Sequence, residues 1–220
     1  MSLIDTRKFQ KFAFMDLTKI FEILSPVARQ IDETILPHLD TIIAHTKPVT
    51  YKAGERFPRE GEQENQAAFI VNGVFRVYAI DSDGKEATIR FPAEGDFTLF
   101  VNEYKQLNPN AEYYWEALTD ATLLTWTERD IEMLVREIPG WYFFTIKMIE
   151  MIIYRLCIER AEMSNNDATT RYIKFAERYP NTISRVPLRY IANYLGIAPQ
   201  SLSRIRHQLA NTEKQLTNVN

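Results

Sequence analysis

The stretch Val186–Leu209, VPLRYIANYLGIAPQSLSRIRHQL, decides how this chain is read. Leu188, Ile191, Ala192 and Leu195 recur at helical spacing and give a first short helix one apolar face. Gly196 follows where a helix end favours a left-handed residue. Pro199 suits the first turn of a second helix, where a missing N–H costs least. On that second helix Leu202, Ile205 and Leu209 face inward, leaving Gln200, Ser201, Ser203, Arg204 and His207 outward. The pattern predicts a helix-turn-helix whose second helix can enter a DNA major groove. An ordinary helical hairpin would share the apolar spacing, so the charge distribution must arbitrate. Residues 168–220 hold eight Lys/Arg against Glu177 and Glu213, a net of +6, in a chain whose net charge is −3. A basic end on an acidic body is what phosphate neutralisation requires.

The remaining composition narrows the class. A chain of 220 residues can form one large domain or two modest ones. No apolar run approaches the ~18 residues of a membrane span. Arg7, Lys8 and Lys11 alternate with Phe9, Phe12 and Phe14, without the apolar block of a signal peptide. The lone Cys157 excludes an internal disulfide and a four-cysteine iron–sulfur site, and a cytoplasmic location is expected. The three histidines are scattered, and no nucleophile–base grouping or metal-ligand spacing appears, so no enzyme is expected.

Upstream, residues 16–45 read as two helical pieces broken at Ser25-Pro26. From Pro48 to about Trp126, short Val/Ile/Phe/Tyr runs alternate with glycine-bearing turns, as in Phe69-Ile70-Val71, Gly73, Val74–Ile80. Strands so spaced suggest a sandwich or barrel. Glu128–Glu137 reads as a helix, and Pro139 starts another reaching about Asn165. Along it Tyr142, Thr145, Ile149, Ile152, Leu156, Glu159 and Met163 form a heptad-like seam, beside a second stripe of Phe143, Ile146, Ile153 and Cys157. One face can cover the strands and the other a second copy; a dimer is expected through Ile149, Ile152, Leu156 and Met163. Ser164–Asp167 reads as a hinge. The expected division is 1–137, 138–166 and 167–220.

This order of parts resembles the Crp/Fnr family of bacterial transcription regulators. The resemblance runs from about Asp32 to Leu209. It rests on Lys52-Ala53-Gly54-Glu55, Glu60-Gly61, Phe69–Gly73, Arg76-Val77-Tyr78, Asp83–Glu86, Glu94–Phe97, Leu195-Gly196-Ile197 and Ser203-Arg204-Ile205. It implies an α+β fold: N-terminal helices with an antiparallel β-roll of the cyclic-nucleotide-binding type, a long dimerisation helix, and a C-terminal helix-turn-helix of winged-helix type. The wing is expected to be short or absent, because Asn211–Asn220 is short and polar.

In family members that bind cyclic nucleotides, a Gly-Glu pair holds the ribose and an Arg-Ser/Thr pair the phosphate. Here Leu99-Phe100 and Ala111-Glu112 align with those pairs, and no Arg or Lys lies between Lys105 and Arg129. A carboxylate without a bidentate arginine repels a buried phosphate, so cyclic AMP is not expected to bind. Leu99, Phe100, Tyr113, Tyr114 and Trp115 either pack the roll shut or line a pocket for another, more hydrophobic effector. No haem ligands are identified.

For DNA, the resemblance puts Gln200, Ser201 and Arg204 at the base-facing positions and Pro199 at the leading contact position. Arg185, Arg189, Arg206 and Lys214 are expected on phosphates. The implied function is a homodimeric regulator reading a palindrome, with RNA polymerase as a further partner and no membrane association. The alternative is a small-molecule sensor or protein-interaction module that keeps the helix-turn-helix as a packing unit.

Overall fold

The computed structural model describes residues 17–60, 66–98 and 112–217. Helix α1 (Leu17–Asp32) runs unbroken through Pro26, where the sequence suggests an interruption. Continuity is favoured because Ile20, Leu24, Ala28 and Ile31 all bury on one face against Phe69, Leu124 and Trp126. That shared burial outweighs the hydrogen bond lost at the proline. The break comes instead at Asp32, whose carboxylate accepts the Thr34 N–H at 3.0 Å and caps a 3-10 turn, Glu33–His38. Helix α2 (Leu39–Ala44) follows.

Among the described residues eight strands then form the roll: β1 (Lys47–Tyr51), β2 (Arg56–Phe57), β3 (Gln66–Asn72), β4 (Phe75–Ile80), β5 (Glu86–Arg90), β6 (Phe97–Thr98), β7 (Glu112–Ala117) and β8 (Ala121–Thr127). They make two antiparallel sheets, ordered β1-β8-β3-β6 and β2-β7-β4-β5. Strand β3 shows why both faces are apolar. Ala68 and Ile70 point between the sheets, while Phe69 and Val71 point to the helices. Gly73 turns β3 into β4 at φ +111°, with Ala121 packed directly against it.

Helix α3 (Glu128–Glu137) opens on a reciprocal cap between Thr127 and Asp130. Pro139-Gly140 forms a turn, so α4 (Trp141–Asn165) starts two residues after the proline, with Gly140 left-handed at its N-cap. Asp167 caps α5 (Ala168–Arg178) and accepts the Thr170 N–H at 2.7 Å. Helices α6 (Pro180–Ile183), α7 (Leu188–Tyr194) and α8 (Pro199–Thr217) complete the chain. The polar tail, where a short wing or none is expected, continues α8 to Thr217, the last described residue. No helix among the described residues is long and apolar enough to cross a membrane.

Candidate nucleic-acid interface and its junction with the β-roll

Helix α7 buries Ile191 and Ala192, and Leu195 caps it within the same core. Its end is a left-handed cap: Gly196 sits at φ +65°, its N–H donates to Asn193 C=O, and the Ile197 N–H donates to Ala192 C=O. This pair of bonds fixes the angle at which α8 leaves. Leu202 and Ile205 anchor α8 to the core. Gln200, Ser203, Arg204, Arg206 and His207 are exposed and Ser201 is half-buried. Arg204 Nη2 donates to Ser201 Oγ at 3.3 Å, which holds two of the expected base-facing groups together. Arg171 lies beside Gly196 at the turn, and its buried Nε has no hydrogen-bond partner.

The other C-terminal cations divide into two sets. Arg189 is exposed, donating to its neighbour Tyr190 Oη at 3.0 Å. Arg185, expected on a phosphate, is instead paired with Glu94 of the roll at 2.9 Å. Arg178 and Lys174 bond Glu162 of α4 at 2.6 and 3.4 Å. Burial opposes ionisation of Glu94, yet Arg185 and the Gly73 N–H outweigh it and hold the carboxyl below its usual range. The same balance, with Arg178 and Lys174 as the cations, lowers Glu162. Much of the excess basic charge therefore ties this region to the body, leaving Arg189, Arg204 and Arg206 facing solvent. Lys214 falls where side chains are not described.

The tie extends beyond ion pairs. Strand β5 is the outer strand of its sheet, and the Asn193 amide covers its open edge. Asn193 Oδ1 accepts the Thr88 N–H at 2.6 Å, and Nδ2 donates to Glu86 C=O at 3.0 Å. Tyr190 lies over the Arg76 guanidinium, 4.0 Å from ring centroid to Cζ. Arg76, only 2% exposed, bonds Glu86 at 2.7 Å and Thr88 at 2.9 Å. Phe91 of the roll packs on Phe175 and Tyr194. From α4, buried Glu159 accepts hydrogen bonds from both Tyr179 and Tyr194, and burial beside that carboxylate pushes both phenols up. Sequence reasoning missed Arg76, Glu159, Tyr190 and Asn193. No local periodicity marks a polar side chain that is satisfied by a residue up to 107 positions away.

With this geometry in hand, similarity to known proteins is informative. Residues 48–137 match the cyclic nucleotide-binding domain. Over 162 residues the chain is 24% identical to the nitrogen fixation regulation protein FixK of Rhizobium meliloti, covering 71% of this chain and 72% of that protein. The structure of FixK2 from Bradyrhizobium japonicum is similar at a TM-score of 0.64 and 18% identity, covering 76% of this chain and 86% of that one. The global regulator CLP of Xanthomonas campestris, described as c-di-GMP responsive, is similar at 0.58 and 15%, covering 80% and 92%.

Residues 48–137 thus form a domain of the cyclic nucleotide-binding type.

Two sites expected from the Crp/Fnr plan can now be placed. Of the effector-pocket positions, Leu99, Phe100 and Ala111 lie outside the described residues. Glu112 starts β7 opposite Ile80, and its side chain is not described. Tyr113 is half-buried on the same strand. Trp115 is 5% exposed and packs between the sheets on Phe75, centroids 6.5 Å apart, with Phe57 paired opposite.

Helix α4, expected to pair with a second copy, turns outward a face that draws on both apolar stripes. Met163 packs against the helix-turn-helix core, and Ile152 lines a cleft beside α1. Ile149 is half-buried and Leu156 is exposed. Tyr142, Ile146 and Ile153 join them along the solvent face, each more than half exposed. Both stripes are apolar, so spacing alone could not rank them. The anchoring of Trp141, Phe144 and Glu159 inward sets the rotation of the helix.

Proposed function

We propose that this chain is a DNA-binding transcription regulator, not an enzyme, acting in the cytoplasm as a homodimer on a palindromic site. The observation that carries the reading is the polar face of α8. Gln200, Ser201 and Arg204 project from a helix whose opposite side is locked into the core by Leu202 and Ile205. Arg204 can pair bidentately with guanine and Gln200 with adenine, while Arg189 and Arg206 meet flanking phosphates. Arg185, paired with Glu94 through Nη1, keeps further donors that can meet a flanking phosphate as well.

The dimer uses the exposed residues Tyr142, Ile146, Ile153 and Leu156 with half-buried Ile149, setting α4 against its twin. Two-fold symmetry then sets two copies of α8 about 34 Å apart along one duplex face. RNA polymerase is the further partner such a regulator needs. The effector site is not built for cyclic AMP, because Leu99-Phe100 and Ala111-Glu112 replace the groups that would hold ribose and phosphate. A more hydrophobic small effector suits the aromatic residues there.

The test is selection of bound duplexes from a random pool, sequenced with and without cyclic AMP. The expected result is an enriched palindrome unaffected by the nucleotide. Enrichment only with cyclic AMP would overturn the pocket argument. No enrichment at low salt would favour a sensor or interaction module that keeps the helix-turn-helix as a packing unit. On the selected site, Arg204→Ala should cost about 1–3 kcal/mol and relax one base position. An equal loss on every sequence would make Arg204 a phosphate contact.

A further inference from the structure

We propose that the cleft where α1, the Ala93–Phe97 turn, α4 and the Arg178–Thr182 segment meet is a binding site for an amphipathic monoanion, such as an alkyl or aryl carboxylate. It is separate from the interior of the β-roll. Its volume, about 450 Å³, lies within the range typical of small-molecule sites, and it sits at the seam between two packed units, a common place for them.

Its walls divide by chemistry. One side is apolar, built from Val27 and Ile31 of α1 with Met148, Met151 and Ile152 of α4. Two of these five are methionines, whose unbranched side chains reshape around different apolar bodies. The lining also carries Glu94, Asp96, Arg155 and Arg178, with Arg155 one turn beyond Met151 on α4. Formal charge there balances to zero, so charge alone does not name the ligand. Hydrogen-bonding capacity does.

Both carboxylates are already well supplied with donors. Glu94 receives the Gly73 N–H at 2.7 Å and Arg185 at 2.9 Å. Asp96 receives the Ala93 N–H at 3.0 Å and Arg155 at 2.8 Å. The guanidiniums are far less committed. Each carries five N–H donors. Among the described residues, Arg155 makes its contact to Asp96 through Nη1, and Arg178 makes its contact to Glu162 through Nη2. The unspent capacity of the cleft is therefore donor capacity, arranged in two planar forks. A carboxylate is the head group that matches a guanidinium fork. A dianion is disfavoured by Glu94 and Asp96 on the same wall. The apolar body then lies on the methionine side.

The position gives the site leverage. Val27, Ile31 and Asp96 belong to the N-terminal body, whereas Arg178 and Thr182 belong to the segment that carries the helix-turn-helix. A ligand touching both binds best at one relative placement of the two and stabilises that placement.

The probe is decanoate, titrated below its micelle threshold into full-length protein labelled at the methionine methyl carbons and followed by NMR. Decanol and decyltrimethylammonium serve as comparison ligands. The expected result is saturable shifts at Met148 and Met151, with Met133 and Met163 little changed. Decanol should bind at least about tenfold more weakly, and the cation not at all. Arg155→Gln and Arg178→Gln should each weaken decanoate about fivefold or more. Met151→Trp, which fills the cleft from its apolar lining, should abolish the response at Met148. Absence of saturation overturns the proposal. So does equal binding of decanol, or a shift of all four methyls together. The readout is the cleft itself, so the result stands whether or not DNA proves to be the target.

Discussion

Replacing Asn193 by alanine should loosen the helix-turn-helix from the β-roll by an amount that can be worked from two bonds. The amide accepts from Thr88 N–H at 2.6 Å and donates to Glu86 C=O at 3.0 Å. These bonds are unequal. Thr88 is buried on the outer strand of its sheet, and in the variant its N–H loses its acceptor while still covered by α7. A buried donor left unpaired costs about 1–3 kcal/mol. The Glu86 carbonyl faces solvent and regains a water, so it adds little. A cost of one to two kcal/mol shifts the docking equilibrium roughly 5- to 30-fold. Amide hydrogen exchange at Thr88 reads this directly, because the N–H exchanges only when the junction opens. Exchange there should accelerate by about tenfold, with Leu123 and Leu124 in the roll core unaffected. Asn193→Asp keeps the acceptor and should preserve most of the Thr88 protection. Unchanged exchange at Thr88 in Asn193→Ala would show that the amide does not hold the edge, and the junction argument would fail.

Three further outcomes are expected. Gly73→Ala adds a Cβ that would lie 2.4 Å from Ala121 Cβ, at φ +111°, and should cost at least about 2 kcal/mol in denaturant unfolding; wild-type stability would contradict the turn geometry. Ile153→Glu places a charge in the middle of the outward stripe of α4 and should give a monomer by sedimentation while circular dichroism is unchanged; a persistent dimer would move the interface elsewhere. Acid should release the junction late. Glu94 and Glu162 are held below the ordinary glutamate value of 4.5, so the stability they add is fully present above that value. It is lost as pH falls through their lowered values. Limited proteolysis of the Ser164–Asp167 link should stay flat from pH 8 to about pH 5 and rise only below 4.5. A transition near neutrality would point to another group.

Much of the architecture was legible because its signals are local. Gly196 and Pro199 mark where one helix must stop and the next can start, and both boundaries stand where the spacing puts them. The apolar run Phe69–Val71 ahead of Gly73 identifies a strand, and the structure buries it on both faces. Pro26 misleads for the converse reason. A proline's cost is local and fixed, whereas the benefit of aligning Ile20, Leu24, Ala28 and Ile31 in one core exists only once the sheet is in place. The polar Asn211–Thr217 segment carries no apolar period, so its continuation of α8 was not foreseen either.

The sequence by itself determined the order of the parts and the polar face of the second helix in the helix-turn-helix. These follow from residue identity and from spacings of two to four. Only the tertiary structure decided which residues of α4 face outward, that Arg185 is paired with Glu94, and that Asn193 and Tyr190 clasp the roll. The contacts of Arg185, Asn193 and Tyr190 each reach a partner roughly 90 to 115 residues away, and periodicity along one helix cannot say what its face will meet.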